Sequence, residues 1–188
     1  MGVVPRRPVA VVAVFGLTVV AAACGMSPQP VEPSAIGGRA EAQGFVLEVH
    51  LPSDTYAVTD TIPVLTTVTW TGEPGKGQIW GSGTGPVTFA FQEIGGTKRV
   101  MGGAMTADCG MTEFPSGAAV SVPFRKSGGW AGEDPNSAFY QAWFKDPLLH
   151  LPAGHWQVRI DLGGYLTPCD ANSKALAATV GPIDLLIR

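Results

Sequence analysis

Residues 155–162 read HWQVRIDL, with Trp156, Val158, Ile160 and Leu162 at every second position and His155, Gln157, Arg159 and Asp161 between them. Side chains alternate across an extended strand with a period of two, so this stretch turns its apolar groups to one side and its polar groups to the other. Such a strand needs an apolar layer over one face and water on the other, which is the environment of an antiparallel sheet. The same period returns along the chain. Phe45, Leu47 and Val49 share a face in FVLEVHL, and Ile62, Val64, Thr66, Val68 and Trp70 share one in TIPVLTTVTWTG. Val87, Phe89 and Phe91 do so in PVTFAFQEIGG, as do Val120, Val122 and Phe124 in AAVSVPF. The C-terminal KALAATVGPIDLLIR holds two apolar runs split by Gly181 and Pro182, the pattern of a final strand with a bend or bulge.

Glycine and proline supply 25 and 16 of the 188 residues and interrupt these patterns at short intervals, which favours short strands joined by turns over long helices. One stretch departs from the alternation. In PNSAFYQAWFKD, Phe139 stands four residues before Trp143, and Tyr140 four before Phe144. A helix beginning after Asn136 or Ser137 and a strand buried on both faces both fit that spacing. The expectation is a short helix near 137–145 covering one edge or corner. Seven or more strands within residues 44–188 then predict an all-β domain, an immunoglobulin-like antiparallel β-sandwich.

The N-terminal region has a different character. Arg6 and Arg7 precede fifteen uncharged residues, Val9 to Ala23, the length of a signal-peptide apolar region and short of the roughly 20 residues that span a bilayer. The stretch AAAC followed by Gly25 resembles the lipobox of bacterial lipoproteins, in which the cysteine is lipidated and begins the mature chain. It departs from that pattern at Ala21, where leucine is usual. The resemblance implies a lipoprotein signal peptide over 1–23, lipidation of Cys24, and an extracytoplasmic place in the bacterial cell envelope with a lipid anchor in the membrane. Ordinary secretory cleavage and an uncleaved anchor are the alternatives. Residues 24–43 carry few bulky apolar side chains and are expected to form a flexible tether, since they bury too little surface to offset chain entropy.

Cys109 in TADCGM and Cys169 in LTPCDAN are the two cysteines left after Cys24. An even pair in turn-like contexts of an exported domain predicts a disulfide; a reactive thiol is the rival reading and lacks an evident partner residue. Without Arg6 and Arg7, ten Lys and Arg face fifteen Asp and Glu. That balance carries no basic footprint, so no nucleic-acid partner is expected.

Two segments, HLPSDTYAVTDTIPVLTTVTWTG (50–72) and LPAGHWQVRIDL (151–162), resemble bacterial extracytoplasmic immunoglobulin-like modules and, more loosely, the BsuPI-like proteinase-inhibitor family. The likeness covers residues 46–72 and 149–162 and departs at Thr59, where glycine is usual, and in the extra cysteine pair. It implies the sandwich fold. Inhibitor activity does not follow from it, because fold and function separate readily.

Evidence of chemistry is sparse. His150 and His155 flank the LPAG turn, but a zinc site needs a third protein ligand, so no metal and no cofactor are expected. The run GSGTG (81–85) lacks the Lys-Ser/Thr of a phosphate loop and reads as a turn. Glu133, Asp134, Asp161 and Asp170 lack calcium-loop spacing. Neither a Gly-x-Ser-x-Gly elbow nor a His-Glu-x-x-His helix is present, and no catalytic residues are assigned. Trp70 and Trp156 fall in strand interiors. Trp80 and Trp130 lie beside glycines, and with Tyr165 they are the candidate ligand-binding residues, since an exposed aromatic face suits a sugar ring or a partner side chain. The expected function is a non-enzymatic protein-interaction module acting on an envelope protein; a glycan or cell-wall binding module and a proteinase inhibitor are the alternatives.

Overall fold

A computed structural model describes residues 35–169 and 172–188. The expected signal peptide over 1–23 and the expected lipidation site Cys24 lie outside the described residues. Among the described residues, eleven strands form two sheets. The first is β1 (Ile36–Ala42), β2 (Phe45–Leu51), β4 (Leu65–Trp70) and β9 (Ala119–Ser121), in the spatial order β1-β2-β4-β9. The second runs β3-β11-β10-β5-β8, where β3 is Thr55–Tyr56, β5 Gln78–Gly81, β8 Gly110–Glu113, β10 Gly154–Tyr165 and β11 Ala175–Ile187. Beside β10 also lies β6 (Val87–Ile94), with β7 (Val100–Gly102) on its outer edge. Strand pairs are antiparallel except for the two-residue contact of β3 with β11. The protein is thus an all-β sandwich, as its alternation predicts.

The inner faces are those read from the sequence. Phe45, Leu47, Val49 and Leu51 of β2 face Phe89, Phe91, Trp156, Val158, Ile160 and Leu162 of the other sheet in one buried cluster. Trp156 is fully buried, and its indole N–H donates to the Pro152 carbonyl at 2.9 Å. Trp70 is only half-buried; it packs on Phe45, ring centroids 4.6 Å apart, and donates its N–H to the Glu73 carbonyl. The register of β10 with β11 shifts between Val158 and Ile160, opposite Gly181 and Pro182, which is the bulge expected there.

The helix is present as α1 (Ser137–Lys145) and buries Tyr140 and Trp143. Its C-terminal carbonyls are capped from outside. The Lys126 ammonium donates to the Trp143 and Asp146 carbonyls, both at 2.6 Å, and lies 4.4 Å from the Trp143 ring. A cation there satisfies groups that a helix end leaves without intrahelical partners. Asp146 is extended, as the residue before a proline should be, and the helix stops.

One boundary differs from expectation. Residues 36–42, assigned by composition to the tether that ran to 43, pair with β2 along their whole length, from Ile36–Leu51 to Ala42–Phe45. The sandwich begins at Ile36. No helix among the described residues is long and apolar enough to cross a membrane.

Candidate functional site

β5 and β6 are two successive pieces of one edge running along β10. Tyr165 pairs with Trp80 of β5, Leu162 pairs with Val87 of β6, and residues 82–86 loop out between them. All of GSGTGP after Gly81 therefore leaves the sheet, as a turn reading predicts. Its return is tied by the Gly163 N–H, which donates to the Pro86 carbonyl at 2.8 Å.

The loop is braced from within. The buried Ser82 hydroxyl lies 2.7 Å from both the Thr84 and Thr106 hydroxyls and accepts the N–H groups of Thr84 and Thr106, each at 3.2 Å. Asp108 adds a second tie. Its carboxyl sits below the ordinary range because the Thr106 hydroxyl and the Gly83 N–H donate to it. A third tie is covalent, since Cys109 and Cys169 form a disulfide with Cα atoms 6.0 Å apart that joins the segment carrying Thr106 and Asp108 to the one after β10. Three loops are thus fixed relative to one another before any ligand arrives.

Around this frame runs a cleft of two adjoining lobes of about 430 and 300 Å³, which share Thr84, Val87 and Arg125. Phe89, Phe114, Val120 and Val122 supply apolar lining in the smaller lobe. β9 and β8 each pair with one strand only, so each has a free edge, and both border that lobe through Ser121 and Thr112. Among the described residues, Arg125 and Lys126 are the charged members of the lining, and no carboxylate is among them. Lys126 is committed to α1. Arg125 is exposed and makes no ion pair among the described residues, so a chain of net charge −3 presents an isolated cation at the centre of its cleft. The hydroxyl of Ser127, in the wall of the larger lobe, is shut off from solvent and has no partner among the described residues.

The candidate aromatic residues do not form one group. Trp80 and Tyr165 are register partners, and Trp80 is paired in turn with Met111 of β8, giving a row across the outer face of the sheet. Tyr165 and Met111 in that row are exposed, and Trp80 is half-buried. Trp130 lies before α1 and packs against it. Its ring stacks on Phe144 at 5.3 Å and Tyr140 at 6.4 Å, with 38% of the residue exposed.

The histidines separate. His155 lies on β10 opposite Leu186 and Ile94, whereas His150 contacts the Asp146 carboxylate at 2.6 Å and the Thr61 hydroxyl at 2.9 Å. Carboxylate, imidazole and hydroxyl in that order match a hydrolase triad. The amide after the hydroxyl, however, is spent: the Ile62 N–H donates to the Leu149 carbonyl at 2.9 Å and does not face an oxyanion. The line acts as a clasp between the helix end and residues 57–63. Among the described residues no three His, Cys, Asp or Glu side chains gather in a set suited to a metal ion. Asp161 pairs with Arg159 and Thr179, and Asp134 accepts the Asn136 N–H.

Sequence reasoning passed over Arg125. Its signal was the pair RK at a strand exit, followed by Gly128 and Gly129, a cation held in a turn beside an apolar strand. No protein-family model, curated protein or solved structure matches this chain.

Proposed function

We propose that this chain is a lipid-anchored, extracytoplasmic lipoprotein of the bacterial cell envelope, and that its sandwich is a non-enzymatic protein-interaction module. The cleft takes an extended, carboxylate-bearing segment of an envelope protein. The observation that carries the reading is the unpaired Arg125 above an apolar floor, with the open edge of β9 alongside. An added strand draws main-chain hydrogen bonds from such an edge and places alternate side chains in the pocket. A carboxylate on Arg125 forms charge-assisted, bidentate hydrogen bonds, which fix the register of the segment. The anchor at Cys24 rests on the lipobox resemblance and keeps the module at the membrane surface.

The test replaces Ser121 by a photoreactive amino acid in full-length protein and cross-links living cells. One defined envelope protein is expected, with its yield reduced about tenfold by Arg125→Glu. Cys24→Ala should release the protein from the membrane fraction and reduce the same product. Equal yield with and without Arg125→Glu, or no defined product, would overturn the cleft assignment. Membrane retention of Cys24→Ala would overturn the anchor.

A further inference from the structure

A separate cavity of about 410 Å³ lies on the other side of the braced loop, where Asp108, Thr106, Tyr165 and Cys169 contribute to its lining. We propose that this cavity is a carbohydrate subsite that stacks a neutral pyranose on Tyr165 and hydrogen-bonds its hydroxyls to Asp108.

Tyr165 points to the outer face of the sheet, 39% exposed, because the inner positions of β10 are taken by Ile160 and Leu162. It is held there closely. Gly164 has φ +146°, and a Cβ at that position would lie 2.6 Å from Ile79 Cγ2 and 2.7 Å from the Trp80 carbonyl oxygen, so a side chain would push β5 away from β10. An aromatic face of this kind packs against the C–H side of a sugar ring. Trp80 and Met111 continue the row across two further strands, which suits a chain of rings better than a single small ligand.

Asp108 supplies the polar side. Its charge is already stabilised by the Thr106 hydroxyl and the Gly83 N–H, so it calls for hydroxyl donors and has no need of a counter-ion. Among the described residues it is also the one charged member of the lining, which sets the site against anionic sugars. The disulfide and the Ser82 hub hold the two sides at a fixed spacing, and the volume falls within the ordinary range of small-molecule sites. This inference does not depend on the peptide reading, since among the described residues the two cavities share Met105 and Thr106 alone.

The test is titration of the isotope-labelled protein with chitotriose, with an oligogalacturonide and a lysine-rich peptide as charged probes, read by amide chemical shifts. Chitotriose is expected to shift residues 105–108 and 164–166 at millimolar concentration. Asp108→Asn and Tyr165→Ala should each weaken binding about tenfold while Tyr165→Phe retains it. Arg125→Glu should leave it unchanged, which separates this site from the cleft. No shifts with chitotriose, equal affinity in Asp108→Asn and Tyr165→Ala, or preference for either charged probe would overturn the proposal.

Discussion

The guanidinium of Arg99 meets both carboxylate oxygens of Glu93, Nη2 to Oε1 at 2.9 Å and Nε to Oε2 at 3.0 Å. The Glu93 side chain is buried and that of Arg99 largely so, and the Phe139 and Trp156 rings lie 4.6 and 5.4 Å from the guanidinium carbon. The pair joins the β6–β7 hairpin to α1 and β10. Removing one member of a buried pair strands the other, at a cost of about 3 kcal/mol or more. Glu93→Gln is therefore expected to lower stability by about 3 kcal/mol in urea unfolding at neutral pH.

The same carboxyl predicts an acid transition. Its pKa is lowered from 4.5 to about 2, first by the Arg99 side chain and then, against burial, by the Thr97 hydroxyl and the Arg99 N–H. The folded form binds the proton less readily than the unfolded form. Its contribution is complete above about pH 4.5 and is lost as the pH falls toward 2, up to roughly 3 kcal/mol in all. Urea midpoints measured downward from about pH 5 should fall more steeply for the natural protein than for Glu93→Gln.

Cys109 and Cys169 are separated by 60 residues, and closing a loop of that length stabilises by about 4 kcal/mol in the chain-entropy model. Replacing both by serine should lower the melting temperature by several degrees or more. Reductant should lower it in the natural protein and leave the double variant unchanged.

Ser82→Ala removes an acceptor from two amides and a partner from two hydroxyls in a part-buried setting. A loss of about 1–3 kcal/mol is expected, with hydrogen exchange accelerated first at Thr84 and Thr106.

Trp130→Ala deletes a ring stacked on Tyr140 and Phe144 while leaving the row of Trp80, Tyr165 and Met111 intact. It is expected to cost about 1–2 kcal/mol and to leave chitotriose titrations unaltered.

What was legible in the sequence is what has a period. β10 was readable because Trp156, Val158, Ile160 and Leu162 all enter one core; the spacing of Phe139 with Trp143 and of Tyr140 with Phe144 fitted both a helix and a buried strand, and the structure forms the helix. β1 was not, and the reason lies in its packing. Gly38 has no room for a larger residue, since a Cβ there would lie 2.7 Å from Val180 Cγ1 of β11. The glycines that look like a tether are the condition for close approach of this strand. The cleft was illegible for another reason: its walls come from residues near 84, 105, 113 and 122, which only the loop-out between β5 and β6 brings together.

β1 also governs how the domain responds to mechanical load. Force transmitted through residues before Ile36 arrives at the Ile36–Leu51 end of an edge strand, where the two chains separate like a zipper and rungs open one after another. Peeling its seven residues frees roughly 24 Å of chain from the sheet and leaves the core strands β2 and β4 paired. A tug on the N-terminal segment is absorbed by this outermost ribbon before it reaches the loops around Arg125 and Tyr165.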